Sequence, residues 1–271
     1  MSTDQIEAAE PGDDDRPSAG TEPEAPRSVL GRAFGLLAAF TPEDVELSLG
    51  ELSERTGLPK TTVHRLAGEL IGFGALERGR YGVRLGLKLF TLGEQVPRHR
   101  RLRDLALPYL EDLYEATHES AHLALLDGTE VVYLAKVIGH RSAPTASAIG
   151  GRLPTHCTAV GKALLSFSPT RVLAQRVDAG LPRRTPLTLA TPGALERDLI
   201  ATAERGYSVD REETRMGIVS VAAPIFGAGG RPVAAIAIAG RTHTIRIDQL
   251  APAVQAAARG LSQSMSRSTG T

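Results

Sequence analysis

The run from Gly50 to Gly74 constrains the chain most. It reads as a short helix, Gly50 to Arg55, closed by Gly57, whose missing Cβ suits the left-handed turn after a helix. Pro59 then restarts the chain at a helix N-terminus, where its absent N–H costs nothing. Val63, Leu66, Ala67, Leu70 and Ile71 recur at three- and four-residue steps, so the new helix has one apolar face; Gly72 and Gly74 stop it. Upstream, Val29, Leu30, Ala33, Phe34, Leu37 and Phe40 predict another helix with that set as its buried face, ended at Thr41-Pro42. Downstream, Ala75 to Val83 forms two short segments that meet around Arg78-Gly79, the pattern of a small hairpin. Helix, short helix, tight turn, helix, hairpin is the order of a winged helix-turn-helix.

Charge supports that reading. The chain of 271 residues has a formal net charge of zero, but the charge is unevenly spread. Residues 1–26 hold eight acids and one arginine and are poor in large apolar side chains, which predicts a disordered acidic tail. Arg55 to Arg103 holds eleven bases against three acids, a net of +8, which points to an anionic partner. On the third helix the polar residues Lys60, Thr61, Thr62, His64 and Arg65 lie opposite the buried face, where a recognition helix meets base edges and phosphates. Arg78, Arg80 and Tyr81 on the wing extend the contact to phosphate or the minor groove. Few aromatics and no tryptophan argue against single-strand binding by stacking.

The rest of the chain is nearly balanced, with 17 bases and 15 acids from Asp104 onward. Leu85 to Arg103 reads as a charged linker helix with Leu85, Leu89 and Leu92 on one face, interrupted at Pro97. An amphipathic helix, Leu102 to Thr117, leads into strands at His122 to Leu126 and Val131 to Val137 around an Asp127-Gly128 turn. Helices follow at about Thr158–Ser166, Pro169–Val177 and Pro192–Arg205, then strands at Ile218–Phe226 and Val233–Ala239 and a closing helix at Asp248–Met265. This order predicts an α+β sensor-like domain with a mostly antiparallel sheet. The longest apolar run, Pro232 to Gly240, is too short to span a membrane, and no secretory signal opens the chain. One cysteine, Cys157, excludes a disulfide framework and fits a cytoplasmic protein.

Enzymatic motifs fail one by one. Gly161-Lys162 lacks the flanking glycine and hydroxyl of a phosphate-binding loop, since His156 and Ala163 occupy those places. Leu153 to Ala163 instead reads as a loop entering a helix whose first N–H groups, near Thr158 to Gly161, suit an anion. There is no nucleophile elbow, and the adjacent His156 and Cys157 are expected to point apart. His118, His122, His156 and Cys157 lack metal-ligand spacing, so neither metal nor cofactor is expected. Asp210, Glu212 and Glu213 cluster after a strand near Tyr207, as a solvated surface also requires.

Several ordered motifs resemble the IclR-type transcriptional regulators. These are Arg32 to Phe40, Gly57-Leu58-Pro59-Lys60-Thr61-Thr62-Val63-His64-Arg65-Leu66, Tyr81 to Leu92, Leu107 to Leu110, Gly151 to Ala163, Arg205 to Glu213, and Gly217 to Pro224. The resemblance implies four parts: a tail over residues 1–26, a winged helix-turn-helix over 27–84, a linker helix over 85–103 and a GAF-like effector-binding domain over 104–268. It implies a repressor or activator of a catabolic or metabolic operon. The partners it implies are double-stranded operator DNA, a small effector and a second copy of the chain, with dimers pairing into tetramers. Carried over position by position, the effector pocket is lined by Leu153, Ala159, Val160, Asp210, Ile218, Ser220, Ala237 and Ala239. Ser220 stands where family members often have cysteine, and the two alanines where several have serine. Losing two hydroxyls predicts a less polar ligand, an organic acid or aromatic catabolite with one polar end.

Overall fold

The computed structural model describes residues 28–139 and 147–267, so the expected acidic tail lies outside the described residues. These residues fall into two compact units that divide between Leu87 and Lys88.

In the first unit, α1 (Val29–Ala38) is capped by Ser28, whose Oγ accepts from the Gly31 N–H at 2.9 Å. Ser48 and Glu51 cap α2 (Leu49–Thr56) reciprocally, each side chain taking the other's backbone N–H. Gly57 ends α2 at φ 67°, and Pro59 precedes α3 (Lys60–Gly72). The wing is β1 (Leu76–Arg78) against β2 (Val83–Leu85), antiparallel, with Leu47 bridging to Val83 on the far side. Gly82 is required here: a Cβ would sit 2.0 Å from the Leu47 carbonyl oxygen. Glu46 holds the wing turn, its carboxylate accepting from the Arg80 and Tyr81 N–H groups. Leu36, Leu47, Leu52, Val63, Leu66, Leu76 and Val83 make the core.

One expectation is corrected on α1. Leu36 is its buried residue, packed with Ala33, Leu37 and Phe40, whereas Val29, Leu30 and Phe34 are exposed. The helix is apolar on more than one face, so periodicity alone could not say which face meets α3.

The second unit begins with α4 (Leu87–Glu94) and α5 (Pro97–Thr117). The stretch expected as a linker helix interrupted at Pro97 is the end of β2, then α4, then the first part of α5. The break falls at Gln95-Val96 because Pro97 is the first residue of a new helix, which runs unbroken to Thr117. Arg103 forks onto Glu94 with two contacts of 2.6 Å across that break.

β3 (Ser120–Asp127) and β4 (Glu130–Val137) form a hairpin, with Gly128 at φ 61° in the turn. After β5 (Arg152–Pro154) come α6 (Ala159–Leu165), α7 (Thr170–Asp178) and α8 (Pro192–Arg205). The chain closes with β6 (Ser208–Arg211), β7 (Ile218–Phe226), β8 (Pro232–Arg241) and α9 (Ile247–Arg267). The sheet order is β5-β4-β3-β8-β7-β6, and every pairing is antiparallel. β5, expected as loop, is a three-residue edge strand on β4, too short to show a period.

Side chains alternate across the sheet. Leu123, Val219, Val221, Ile225, Ile236 and Ile238 point to one face and pack under α5 and α9 through Leu102, Leu110, Leu113, Val254 and Leu261. Ala124, Tyr133, Ala222, Ala235 and Ala237 point to the other, under α6. Burying the large aliphatic side chains contributes about 1.5–3 kcal/mol each, so the first face carries most of the hydrophobic stabilisation.

Candidate functional site

Two sites emerge, one in each unit. In the first unit, Lys60, Thr61, His64 and Arg65 are exposed at the start of α3, with Thr62 half-buried beside them. They stay outside because Val63, Leu66 and Ala67 take the inner face. Arg65 pairs with Glu69 one turn on, Nη1 to Oε1 at 2.5 Å, with both side chains about half exposed. Such a pair contributes only about 0.3–0.5 kcal/mol and yields readily to a phosphate. On the wing Arg78, Arg80 and Tyr81 are exposed, and the Arg80 guanidinium lies 5.1 Å from the Tyr81 ring centre. Arg84 is paired with Glu77 at 3.0 Å.

In the second unit, all eight residues expected at an effector pocket line one cavity. Leu153, Ala159, Val160, Asp210, Ile218, Ser220, Ala237 and Ala239 surround it together with His122, Tyr133, Ser147, Thr158, Thr214 and Arg215. Strand register explains the convergence. Asp210, Ser220 and Ala239 are neighbours across β6, β7 and β8. One step along, Ala222, Ala237 and His122 are neighbours across β7, β8 and β3. Alanines in mid-sheet leave the space, and polar groups flank it. The cavity volume is about 40 Å³. That is a few waters, well short of the roughly 150 Å³ that admits a benzene ring.

α6 closes the cavity. Thr158 Oγ1 accepts from Gly161 N at 3.1 Å and donates to the Pro154 carbonyl at 3.0 Å. Any Cβ at Gly161 would lie 2.3 Å from the Thr155 oxygen, so only glycine lets the helix start here. The cap thus uses one of the N–H groups expected to face an anion.

Sequence reasoning missed the charges behind the cavity. Lys162, fully buried on α6, places Nζ 2.5 Å from Glu213 Oε1 and 2.9 Å from Asp198 Oδ2. The N–H groups of Glu213 and Thr214 in turn point at Asp210 Oδ1, the first at 2.7 Å. Burial lifts the Asp210 carboxyl to about 6, against hydrogen bonds from Thr214 and the charge of Lys162, which lower it. Burial likewise lifts Glu213 to about 7, outweighing the pull of Lys162. The only signal was Lys162 on an otherwise apolar helix, and its partner lies 51 residues away.

His122 was also missed as a cavity residue, because it occupies an ordinary alternating strand position. It is 2% exposed, and burial, then the charge of Lys136, push its imidazole down to about 3, so it is neutral. Burial also raises the Tyr133 hydroxyl, and the two rings meet edge-on at 5.9 Å.

His156 and Cys157 do point apart. The first meets the Pro182 carbonyl at 3.1 Å and the second the Pro154 carbonyl at 3.8 Å. Burial raises the thiol to about 11, which keeps it protonated and unreactive. Among the described residues no three His, Cys, Asp or Glu side chains are grouped to hold a metal ion, and no helix is long and apolar enough to cross a membrane.

Comparison with known proteins agrees with both halves. Residues 29–80 match the IclR helix-turn-helix domain, and residues 95–264 match the bacterial transcriptional regulator IclR C-terminal domain. The HTH-type transcriptional regulator XynR of Escherichia coli is 36% identical over 222 residues, covering 80% of this chain and 86% of that protein. The glycerol operon regulatory protein of Streptomyces coelicolor is 32% identical over 246 residues, covering 89% and 96%. Among solved structures, an IclR homolog from Microbacterium hydrocarbonoxydans complexed with 4-hydroxybenzoate superposes with a TM-score of 0.81 at 29% identity, covering 88% of this chain and 99% of that one. The chain belongs to the IclR family: it is a DNA-binding transcriptional regulator of the ligand-responsive type.

Proposed function

We propose that the α6 cavity is the effector site and that the start of α3, with the wing, contacts operator DNA through Lys60, Thr61, Thr62, His64, Arg65, Arg78, Arg80 and Tyr81. The observation that carries the effector half is the convergence of all eight family-derived positions on one cavity. The effector is a small organic acid. An acid of two or three carbons matches the space, and a single-ring acid such as 4-hydroxybenzoate, bound by the Microbacterium homolog, requires the cavity to widen. The regulated genes are catabolic or metabolic. The chain has no catalytic activity of its own, works in the cytoplasm without a cofactor, and divides into the tail, winged domain, linker and sensor given above. It forms a homodimer, and then a dimer of dimers. The exposed apolar stripe Val29, Leu30 and Phe34 supports pairing through the DNA-binding units.

The test is a melting-temperature screen of small acids on the full chain. A ligand at one hundred times its Kd stabilises the folded protein by about 2.7 kcal/mol. The reading expects at least one acid to do so and Ala237→Leu, which fills the cavity, to abolish the response. An equal response in that variant would place the ligand elsewhere.

A further inference from the structure

The cavity wall holds a buried polar atom with no hydrogen-bond partner among the described residues. His122 Nδ1 lies 3.3 Å from Ser147 Oγ, which engages one side of the ring. Nε2, equally buried, has no hydrogen-bond partner among the described residues, although the ring lines the cavity. A buried, unmade hydrogen bond is costly, and such groups call for an explanation. Register puts His122 directly beside Ala237, so the space in front of the ring is the space that alanine leaves. Tyr133, edge-on, fixes the ring plane.

We infer that His122 is the specificity-determining residue of this cavity and that it reads a hydroxyl group on the effector. The inference rests on the proposed effector site. The imidazole is neutral, because burial and Lys136 both oppose a charge, so it offers no cation to a carboxylate. Neutral imidazole presents Nε2 as a donor or as an acceptor, depending on its tautomer, and the Ser147 hydroxyl can pair with Nδ1 in either. A hydroxyl satisfies either form, whereas a carbonyl or an ammonium satisfies only one. The buried Asp210 carboxyl on the same wall also favours a ligand that can donate. Together with the small volume, this names a short hydroxy acid, seated with its hydroxyl on His122.

Binding of three matched pairs tests this on the full chain by calorimetry: glycolate and acetate, lactate and propionate, 4-hydroxybenzoate and benzoate. In the wild type the hydroxylated member of a binding pair is expected to bind at least about tenfold more tightly, since its absence leaves Nε2 unpaired. In His122→Phe, which keeps a ring but no nitrogen, the preference is expected to collapse to about twofold or less. His122→Asn, which keeps a donor and an acceptor, retains part of it and serves as the reading if the Phe variant does not fold. Equal binding of both members by the wild type would overturn the role of His122. So would an undiminished preference in a folded Phe variant. In either case the proposed effector site would stand. Failure of all six acids to bind would contradict the small-acid reading itself, and the role of His122 with it.

Discussion

The two faces of the six-stranded sheet share the same strands and differ in almost everything else. On β8, Ile236 and Ile238 point toward α5 and α9, while Ala235, Ala237 and Ala239 point toward α6. On β7, Val219 and Val221 alternate with Ser220 and Ala222 in the same way. One face is filled with branched aliphatics packed beneath α5 and α9. The other is lined with alanine, keeps a cavity, and is framed by Lys162, Glu213, Asp198, Asp210 and His122. One face therefore holds the fold by packing, while the other sets small side chains and buried charges around a space for a ligand.

If that division is right, mutations on the two faces should fail differently. Lys162→Met should have the largest effect, roughly 3–5 kcal/mol, because it leaves the buried Glu213 without its cation. The loss should shrink at acid pH. Glu213 in the folded protein takes up a proton near 7, well above its usual 4.5, so an acid solution neutralises the stranded carboxylate. Urea unfolding at pH 5 and pH 8 measures this. A pH-independent loss would mean that packing, not charge, sets the cost.

Ile238→Ala on the packed face should cost about 2–5 kcal/mol at every pH, without abolishing the response to an effector. Denaturation and the acid screen on the same variant would show whether the faces are separable.

Asp210→Asn sharpens the cavity side. The folded pKa of Asp210, about 6, lies above its ordinary 3.8. Its contribution is then fully present below about pH 4 and is lost as pH rises through 6. The wild type should lose stability relative to the Asn variant across that window, by at most about 3 kcal/mol at 1.36 kcal/mol per unit, with no further change above pH 7. Unfolding free energies at several pH values check the sign; a difference of the opposite slope would mean Asp210 is ionised and well paired.

Ala237→Leu should have the smallest effect on stability, about 1–3 kcal/mol from overpacking or less if the added side chain fills the cavity, yet it should remove effector binding. Melting curves with and without the acid separate the two consequences.

Most of the frame was legible in the sequence because its signals are local. Gly57, Pro59 and the apolar spacing of Val63, Leu66 and Ala67 specify the turn and the inner face of α3 without reference to anything distant. The cavity positions were legible only through resemblance, since nothing in Ala237 or Ser220 alone marks a pocket. Lys162 was opaque because its partners, Asp198 and Glu213, come from α8 and the turn after β6, far along the chain. His122 was opaque because alternation says that a residue faces inward but not that it faces a space. Val29, Leu30 and Phe34 were misplaced for a related reason: an apolar residue pattern does not say which neighbour covers it.

The most direct test joins both sites in one measurement. DNA selected from a random pool by the full chain is titrated with protein by fluorescence anisotropy, with and without the acid that stabilises it. The account predicts that the acid changes DNA affinity by about 5–150-fold in the wild type and leaves it unchanged in Ala237→Leu. An identical shift in both proteins, or no shift in the wild type, would contradict it.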